Sequence, residues 1–187
     1  MDCMEVLVIG DPLFGKSLLS ERFALATRAY CVIEPYIHRV IHQHTDGSSV
    51  QFSLMNLPNE DIRANDFSKA NAILLLFDED DVESLEKLQT LWLDKFEQLC
   101  ESSLIAVCGL TSFLHREKLF YHAEPSRVDI DRFVEQADAT CYFSVDLGSH
   151  EQIFQVFDRL CSEFYVPKVQ KRERSLSLKS LKSLKFW

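Results

Sequence analysis

The 187-residue chain lacks the features that would indicate a membrane or a secreted protein. No run approaches the roughly 18 consecutive apolar residues that a membrane-spanning helix needs. The N-terminus does not have the charged and then apolar layout of a secretory signal. The six cysteines include no Cys-x-x-Cys pair, and most of them lie in apolar stretches. We therefore expect reduced core cysteines in a cytoplasmic or nuclear protein.

Positive charge is scarce in most of the chain and concentrated at its end. The net charge is −9, but residues 168–187 hold five lysines and two arginines against one glutamate, so they carry +6 and the first 167 residues carry −15. An acidic body is a poor surface for nucleic acid, so we expect no nucleic-acid partner. We interpret residues 1–166 as one folded domain, since 47% hydrophobic residues can fill a core, and residues 167–187 as a basic tail.

The basic tail has an amphipathic pattern and no lipidation motif. Its last four residues, LKFW, contain no cysteine, so we expect no prenyl anchor. A leucine row and a lysine row typify a segment that binds an anionic membrane surface or a calmodulin-like protein. We therefore expect peripheral membrane attachment, a protein partner, or a solvated tail. The two rows, each with a spacing of three, are Leu178, Leu181 and Leu184, and Lys179, Lys182 and Lys185.

Apolar runs that alternate with amphipathic stretches predict an α/β fold. We expect a mostly parallel, six-stranded sheet with helices on both faces and one antiparallel hairpin strand. Asp46-Gly47 between two alternating runs indicates that hairpin. The predicted strands are Glu5–Gly10, YIHRVIHQHT, VQFSLMN, Ile73–Phe77, Leu104–Gly109 and Cys141–Val145, and the helices run from Ser17, over Val82–Cys100, Asp129–Ala137 and Glu151–Phe164.

The first predicted hairpin strand carries three histidines on one face, His38, His42 and His44. Three imidazoles could bind a metal ion, but no fourth ligand is apparent. We therefore expect an exposed strand face here and no metal site.

The chemistry-bearing motif is Gly10-Asp11-Pro12-Leu13-Phe14-Gly15-Lys16-Ser17, which matches the phosphate-loop pattern G-x-x-x-x-G-K-[ST]. In such a loop the backbone N–H groups converge on phosphate oxygens at a helix N-terminus, and the lysine neutralises their charge. The expected phosphate contacts are Gly10, Asp11, Gly15, Lys16 and Ser17, and the Ser17 hydroxyl would also ligate Mg²⁺. The alternative interpretation is a glycine turn with an exposed lysine.

Bulky residues occupy the middle of this loop. Pro12, Leu13 and Phe14 would crowd the space in which an attacking water is positioned, and positioning supplies most of phosphoryl-transfer catalysis. We expect slow or absent hydrolysis, with phosphate binding by Lys16 retained or with the loop kept only as structure.

In the order of its elements the chain resembles the Ras superfamily of small GTPases, from about Met4 to Phe164. VLVIGDPLFGKS is similar to the first motif, DGSSVQFSLMNLPNED to the hairpin that leads into switch II, and CYFSVD to the strand that carries a base-binding motif. The resemblance implies a Ras-like G domain that binds GTP or GDP with Mg²⁺. Two branches with eroded motifs are similar, the GTPase-like domain of gamma-centaurins and the Rad/Gem/Rem-type GTPases.

The switch motifs depart from the family pattern. Asn56 stands at the position of the Mg²⁺-supporting aspartate, Asn59 at that of the glycine, and Glu60 at that of the catalytic glutamine. Asn56 would be a weak, uncharged metal partner, and an acidic Glu60 would repel a γ-phosphate. No threonine lies near Glu34-Pro35, so the usual switch I contact is missing. No residue is assigned a catalytic role.

The base-binding motif departs as well. Gly109-Leu110-Thr111-Ser112 stands where the family has Asn-Lys-x-Asp, so no carboxylate is placed to accept from guanine. Ser144 and the backbone at Val145 remain as expected base contacts.

These departures lead to one preferred interpretation and two alternatives. We expect an atypical Ras-like GTPase or pseudo-GTPase that binds guanine nucleotide weakly and acts as a regulatory module in signalling or trafficking. It would contact protein partners through its switch-region surface. The alternatives are an active GTPase that uses partner-supplied groups, and a P-loop ATPase or nucleotide kinase that depends on Asp78.

Overall fold

The computed structural model describes residues 2–11, 15–27, 31–99, 103–111 and 123–165. Pro12, Leu13, Phe14, Ser112 and the basic tail lie outside these residues, as do the predictions made for them. The elements in chain order are β1 (Asp2–Gly10), α1 (Lys16–Thr27), β2 (Cys31–Glu34), β3 (Ile37–Gln43), β4 (Ser49–Met55), a 3₁₀ turn (Asn59–Asp61), α2 (Ala64–Lys69), β5 (Ala72–Asp78), α3 (Val82–Leu99), β6 (Leu104–Thr111), α4 (Arg127–Gln136), β7 (Cys141–Asp146) and α5 (His150–Tyr165).

One mixed sheet runs through the domain in the order β2-β3-β4-β1-β5-β6-β7. From β4 to β7 every neighbouring pair is parallel, whereas β3 is antiparallel to both β2 and β4. The predicted α/β fold with one antiparallel hairpin is therefore confirmed. The parallel arrangement brings the carboxyl ends of β4, β1, β5, β6 and β7 to the same edge of the sheet.

Two short elements were absent from the sequence prediction. The seventh strand, β2, adds four residues at the sheet edge, and α2 has six residues, of which only Phe67 is buried. Neither is long enough to show a hydrophobic period. The turn from β2 to β3 contains Tyr36 with a φ of 67°. This left-handed conformation is uncommon for a tyrosine, so the residue type does not predict it.

The core lies in two layers, one on each face of the sheet. Leu85, Leu88 and Trp92 of α3 pack with the α2 and α4 side chains on one face. On the other face α1 and α5 meet, where the rings of Phe23 and Phe157 stack with their centroids 3.5 Å apart. The sheet is thus covered by helices on both faces, as the sequence predicted.

The prediction of an exposed histidine face on β3 is wrong. His38 and His42 are buried, because α1 and α5 cover that face of the strand. The His42 ring lies 4.6 Å from that of Phe154, and its Nε2 is 3.2 Å from the Oδ1 atom of Asp158 on α5. Burial lowers the pKa of His42, although its contact with Asp158 acts in the opposite direction. The described residues contain no cluster of side chains that could hold a metal ion.

Four cysteines whose side chains the structure describes are free thiols: Cys3, Cys108, Cys141 and Cys161. Cys108 and Cys161 are fully buried and Cys141 is half-buried, but Cys3 is exposed, contrary to expectation. Burial raises the pKa of Cys141 to about 11 and that of Cys161 to about 12, so both stay protonated at neutral pH. Across the described ranges, no helix combines the length and apolarity needed to cross a bilayer.

Candidate nucleotide site at the carboxyl ends of the strands

The phosphate-loop residues lie where β1 ends and α1 begins, at the edge where ligands bind in open parallel sheets. A Cβ added to Gly10 would lie 2.7 Å from the Leu76 carbonyl oxygen of β5, so only glycine fits beside this strand. Gly15 has a φ of 76°, which favours glycine. Both glycines therefore have structural reasons for their positions, and the N-terminal amides of α1 follow them. This local geometry suits a phosphate group.

The ammonium group of Lys16 is engaged within the protein. Lys16 is 5% exposed, and its Nζ donates to the Leu57 carbonyl oxygen at 2.7 Å and to Asn59 Oδ1 at 3.3 Å. Desolvation lowers the pKa of Lys16, while the charges of Glu60 and Asp11 act in the opposite direction. The lysine of the loop thus faces the segment that follows β4.

Asn56, the expected weak Mg²⁺ ligand, is hydrogen-bonded to a residue of α1. It is buried, and its Nδ2 donates to Ser20 Oγ at 3.0 Å, while the Ser20 hydroxyl is 3.0 Å from the Lys16 carbonyl oxygen. The Ser17 hydroxyl, the other expected Mg²⁺ contact, is exposed. A hydroxyl and an amide that already bonds to serine are neutral groups, whereas Mg²⁺ prefers a carboxylate. These two side chains are therefore a poor fit for a tightly held Mg²⁺.

Asp11 links the loop to α3. Its Oδ2 lies 3.1 Å from Lys87 Nζ in a pair whose lysine is largely exposed. The hydrogen bond with Asp11 is the largest cause of a raised pKa at Lys87. Since exposed pairs contribute only about 0 to 1 kcal/mol, this contact adds little to the stability of the fold.

Beside the expected base contacts, Glu79 is a candidate site residue that the sequence analysis missed. It follows β5, accepts from Ser144 Oγ at 2.8 Å, and also accepts from the Tyr142 hydroxyl. A Cβ on Gly109 would lie 2.5 Å from Glu79 Oε1, so the Glu79 carboxylate fills space that a larger residue at position 109 would take. Of the two expected base contacts, Ser144 is thus engaged with Glu79, and the buried Val145 can offer only its backbone. The feature of the sequence that could have indicated this contact is the glycine at position 109.

The acidic cluster after β5 shapes the turn into α3. Asp78 Oδ1 accepts from the Asp80 backbone N–H at 2.8 Å, and Asp81 Oδ1 accepts from the Glu83 N–H at 3.1 Å, as a helix cap does. Both Asp78 and Asp81 are buried. The cluster thus caps the helix that follows it, and two of its carboxylates are buried.

The structure brings the loop and switch residues together and places the expected base contacts farther along the sheet. Lys16, Asn56 and Glu60 are grouped where β1 and β4 end, and Glu60 is exposed in the 3₁₀ turn. Ser144 and Val145 lie on β7, three strands from β1. The same sheet edge thus carries both groups, with Glu79 between them.

The comparisons with known proteins point to GTP-binding proteins. No family model matches the chain. The chain is 28% identical over 122 residues to GTP-binding protein rho2 of Schizosaccharomyces pombe, covering 60% of this chain and 59% of that protein. It is 31% identical over 124 residues to GTP-binding protein RHO2 of Saccharomyces cerevisiae, covering 62% and 63%. With GTP-binding protein rho3 of S. pombe it shares 26% over 117 residues, covering 57% and 54%.

The sequence similarity to GTP-binding proteins is consistent with the observed fold. The chain spans 54% to 63% of the length of these curated relatives. Its mostly parallel sheet with a glycine-bounded loop between β1 and α1 is the architecture that the sequence motifs predicted. The branch, whether similar to gamma-centaurins or to Rad/Gem/Rem-type proteins, stays a prediction. By sequence similarity and by fold, the chain resembles the small GTPases of the Ras superfamily.

Proposed function

We propose that the chain is an atypical Ras-like GTPase that binds guanine nucleotide weakly, hydrolyses GTP slowly or not at all, and acts mainly as a regulatory module. The observation that carries this proposal is the buried hydrogen bond between Asn56 and Ser20. In this bond the neutral amide of Asn56 is engaged with Ser20 of α1, whereas the family pattern has a metal-supporting carboxylate at position 56.

The chemistry of phosphoryl transfer supports slow hydrolysis. Catalysis depends on metal ions and cations that neutralise the phosphate charge and on a positioned nucleophile. Glu60 adds a negative charge close enough to influence Lys16, and it would repel the charge that develops on a γ-phosphate. A metal ion would offset that repulsion, but the neutral Asn56 supplies no charged ligand to hold one.

Nucleotide binding has separate support on the phosphate side. Gly10, Gly15 and the α1 N-terminus suit a phosphate, and Lys16 supplies a cation in the same region. The relatives are GTP-binding proteins by name, which favours guanine. Weak affinity follows because the Lys16 ammonium and the Ser144 hydroxyl already have partners within the protein.

Calorimetric titration tests this function directly. GTP, GDP and ATP, each with Mg²⁺, are titrated into the full chain, and single-turnover hydrolysis of GTP is followed on the same protein. We expect micromolar or weaker binding of GTP and GDP, no preference for ATP, and no product above the rate without protein. Product formation at a rate typical of enzymes would identify an active GTPase instead, and preferential ATP binding would favour an ATPase or kinase.

We also propose the switch-region surface, from Asn59 to Lys69, as the face that contacts protein partners. Glu60, Asp61 and Arg63 are exposed there, next to the site residues at Lys16. A surface that shares a segment with the nucleotide site is suited to regulated binding, because a rearrangement of that segment alters both.

For the basic tail we propose reversible attachment to anionic membranes. Its net charge of +6 and its leucine row support this proposal, since each basic residue near an anionic leaflet contributes about 1 kcal/mol. We expect the full chain to sediment with phosphatidylserine-containing vesicles at low salt and a chain lacking residues 168–187 to stay in solution. Equal sedimentation of the two chains would contradict the proposal, and Ca²⁺-dependent binding to calmodulin without vesicle binding would favour the protein partner.

A further inference from the structure

We infer that the segment following β4 is an internal competitor for phosphate, because Leu57 O and Asn59 Oδ1 hold the Lys16 ammonium in a closed arrangement. We name these two contacts the lysine latch. The inference concerns the regulation of the proposed nucleotide site and therefore rests on the proposed function. An anion can reach Lys16 fully only when the latch opens.

The latch has the properties of a competing ligand. A lysine ammonium has three N–H donors, and Leu57 O at 2.7 Å and Asn59 Oδ1 at 3.3 Å accept from it. Both acceptors are oxygen atoms, and a bound phosphate would also accept hydrogen bonds from Lys16 through oxygen atoms. Lys16 is almost fully buried, so these contacts replace the water that an exposed lysine would have.

The segment that carries the latch is anchored at both ends. On one side the Asn56 N–H donates to the Tyr36 carbonyl oxygen at 2.7 Å, and the Asn56 side chain bonds to Ser20. On the other side Phe67 of α2 packs near Trp92 of α3, with ring centroids 6.0 Å apart. Motion that opens the latch is therefore confined to residues 57–63, between two packed anchors.

This arrangement predicts a measurable reduction in apparent affinity. A protein whose competent state is a minor population binds its ligand more weakly, in proportion to that population. Asn59 contributes the longer and weaker of the two latch contacts, and the Leu57 contact remains, so Asn59→Ala should populate the open arrangement only partly and tighten binding about three- to tenfold. Its amide is the accessible half of the latch, since Leu57 contributes a backbone carbonyl that substitution cannot remove.

The first experiment measures binding. Wild type, Asn59→Ala and the matched control Asn65→Ala, an exposed asparagine on α2, are titrated with Mg²⁺-GDP and with pyrophosphate. We expect Asn59→Ala to bind both probes three- to tenfold more tightly than the other two proteins. Unchanged or weaker binding in Asn59→Ala, with measurable binding in wild type, would overturn the latch and leave the proposed function standing.

The second experiment needs no nucleotide. The rate at which an acetylating reagent modifies Lys16 is read by mass spectrometry, with the exposed Lys69 as internal reference. Lys69 is the reference for the comparison, because Lys87 is hydrogen-bonded to Asp11 of the loop. We expect Lys16 to react more slowly than Lys69 in wild type and at least threefold faster in Asn59→Ala than in Asn65→Ala. Equal Lys16 rates in all three proteins would overturn the latch. An accelerated rate without nucleotide binding in any protein would support the latch and contradict the proposed function.

Discussion

Lys16→Met is expected to weaken Mg²⁺-GDP binding about 10- to 100-fold, because a hydrogen-bonded charge contributes about 1.5 to 3 kcal/mol. Methionine retains an apolar stem of similar length, so the buried packing of Lys16 is largely preserved while the ammonium is lost. The loss should appear equally with pyrophosphate, because the proposed role of Lys16 is to bind phosphate.

The matched control for this prediction is Lys69→Met, which removes an exposed lysine at the end of α2. We expect the control to bind GDP as wild type does, and circular dichroism melts should show that all three proteins are folded. If Lys16→Met binds GDP as tightly as wild type, the phosphate loop does not hold nucleotide. Its glycines would then serve only the junction of β1 and α1.

Phe157→Ala is expected to lower the free energy of unfolding by about 3 to 5 kcal/mol. Phe157 is fully buried on α5, stacks on Phe23 of α1 and makes an edge contact with Phe52 of β4 at a centroid distance of 5.3 Å. Its removal leaves a cavity at the junction of two helices and the sheet. Rigid neighbours on three elements cannot all move inward to fill it.

Urea denaturation measures this loss, with Phe154→Ala as the matched control on the same helix. Phe154 is only half-buried, so its truncation should cost about 1 kcal/mol and leave the slope of the transition unchanged. A loss below 1 kcal/mol for Phe157→Ala would mean that the α1 and α5 layer repacks and is not the rigid base of the nucleotide site.

Long, periodic segments of this chain were predictable, and short ones were not. The fully buried strand β5 and the striped helix α3 follow from apolar runs and from a 3.6-residue period. The four residues of β2 carry too few side chains to show a pattern, and their pairing with β3 depends on the turn at Tyr36. The burial of His42 was missed for a related reason, since its strand pattern does not reveal that α5 covers it.

In the candidate site, the positions on one continuous motif were predictable and the partners across the fold were not. Gly10, Gly15 and Lys16 follow from a local pattern whose glycines have local geometric reasons. The Lys16 contact with Leu57 joins residues 41 positions apart, and that of Ser144 with Glu79 joins residues 65 apart. No spacing rule connects such pairs, because strand order decides which chain segments meet.

Four properties could be predicted from the amino-acid sequence alone: the α/β class, the phosphate-loop pattern after the first strand, the loss of the acidic and basic groups of later motifs, and the separation of charge between body and tail. These properties depend on local periodicity and on composition. Three contacts became visible only in the folded chain: the segment after β4 holds Lys16, Asn56 bonds to Ser20, and Glu79 fills the space beside Gly109. They arise because the parallel sheet brings five strand ends to one edge, where buried polar groups must take partners from whichever segments lie beside them.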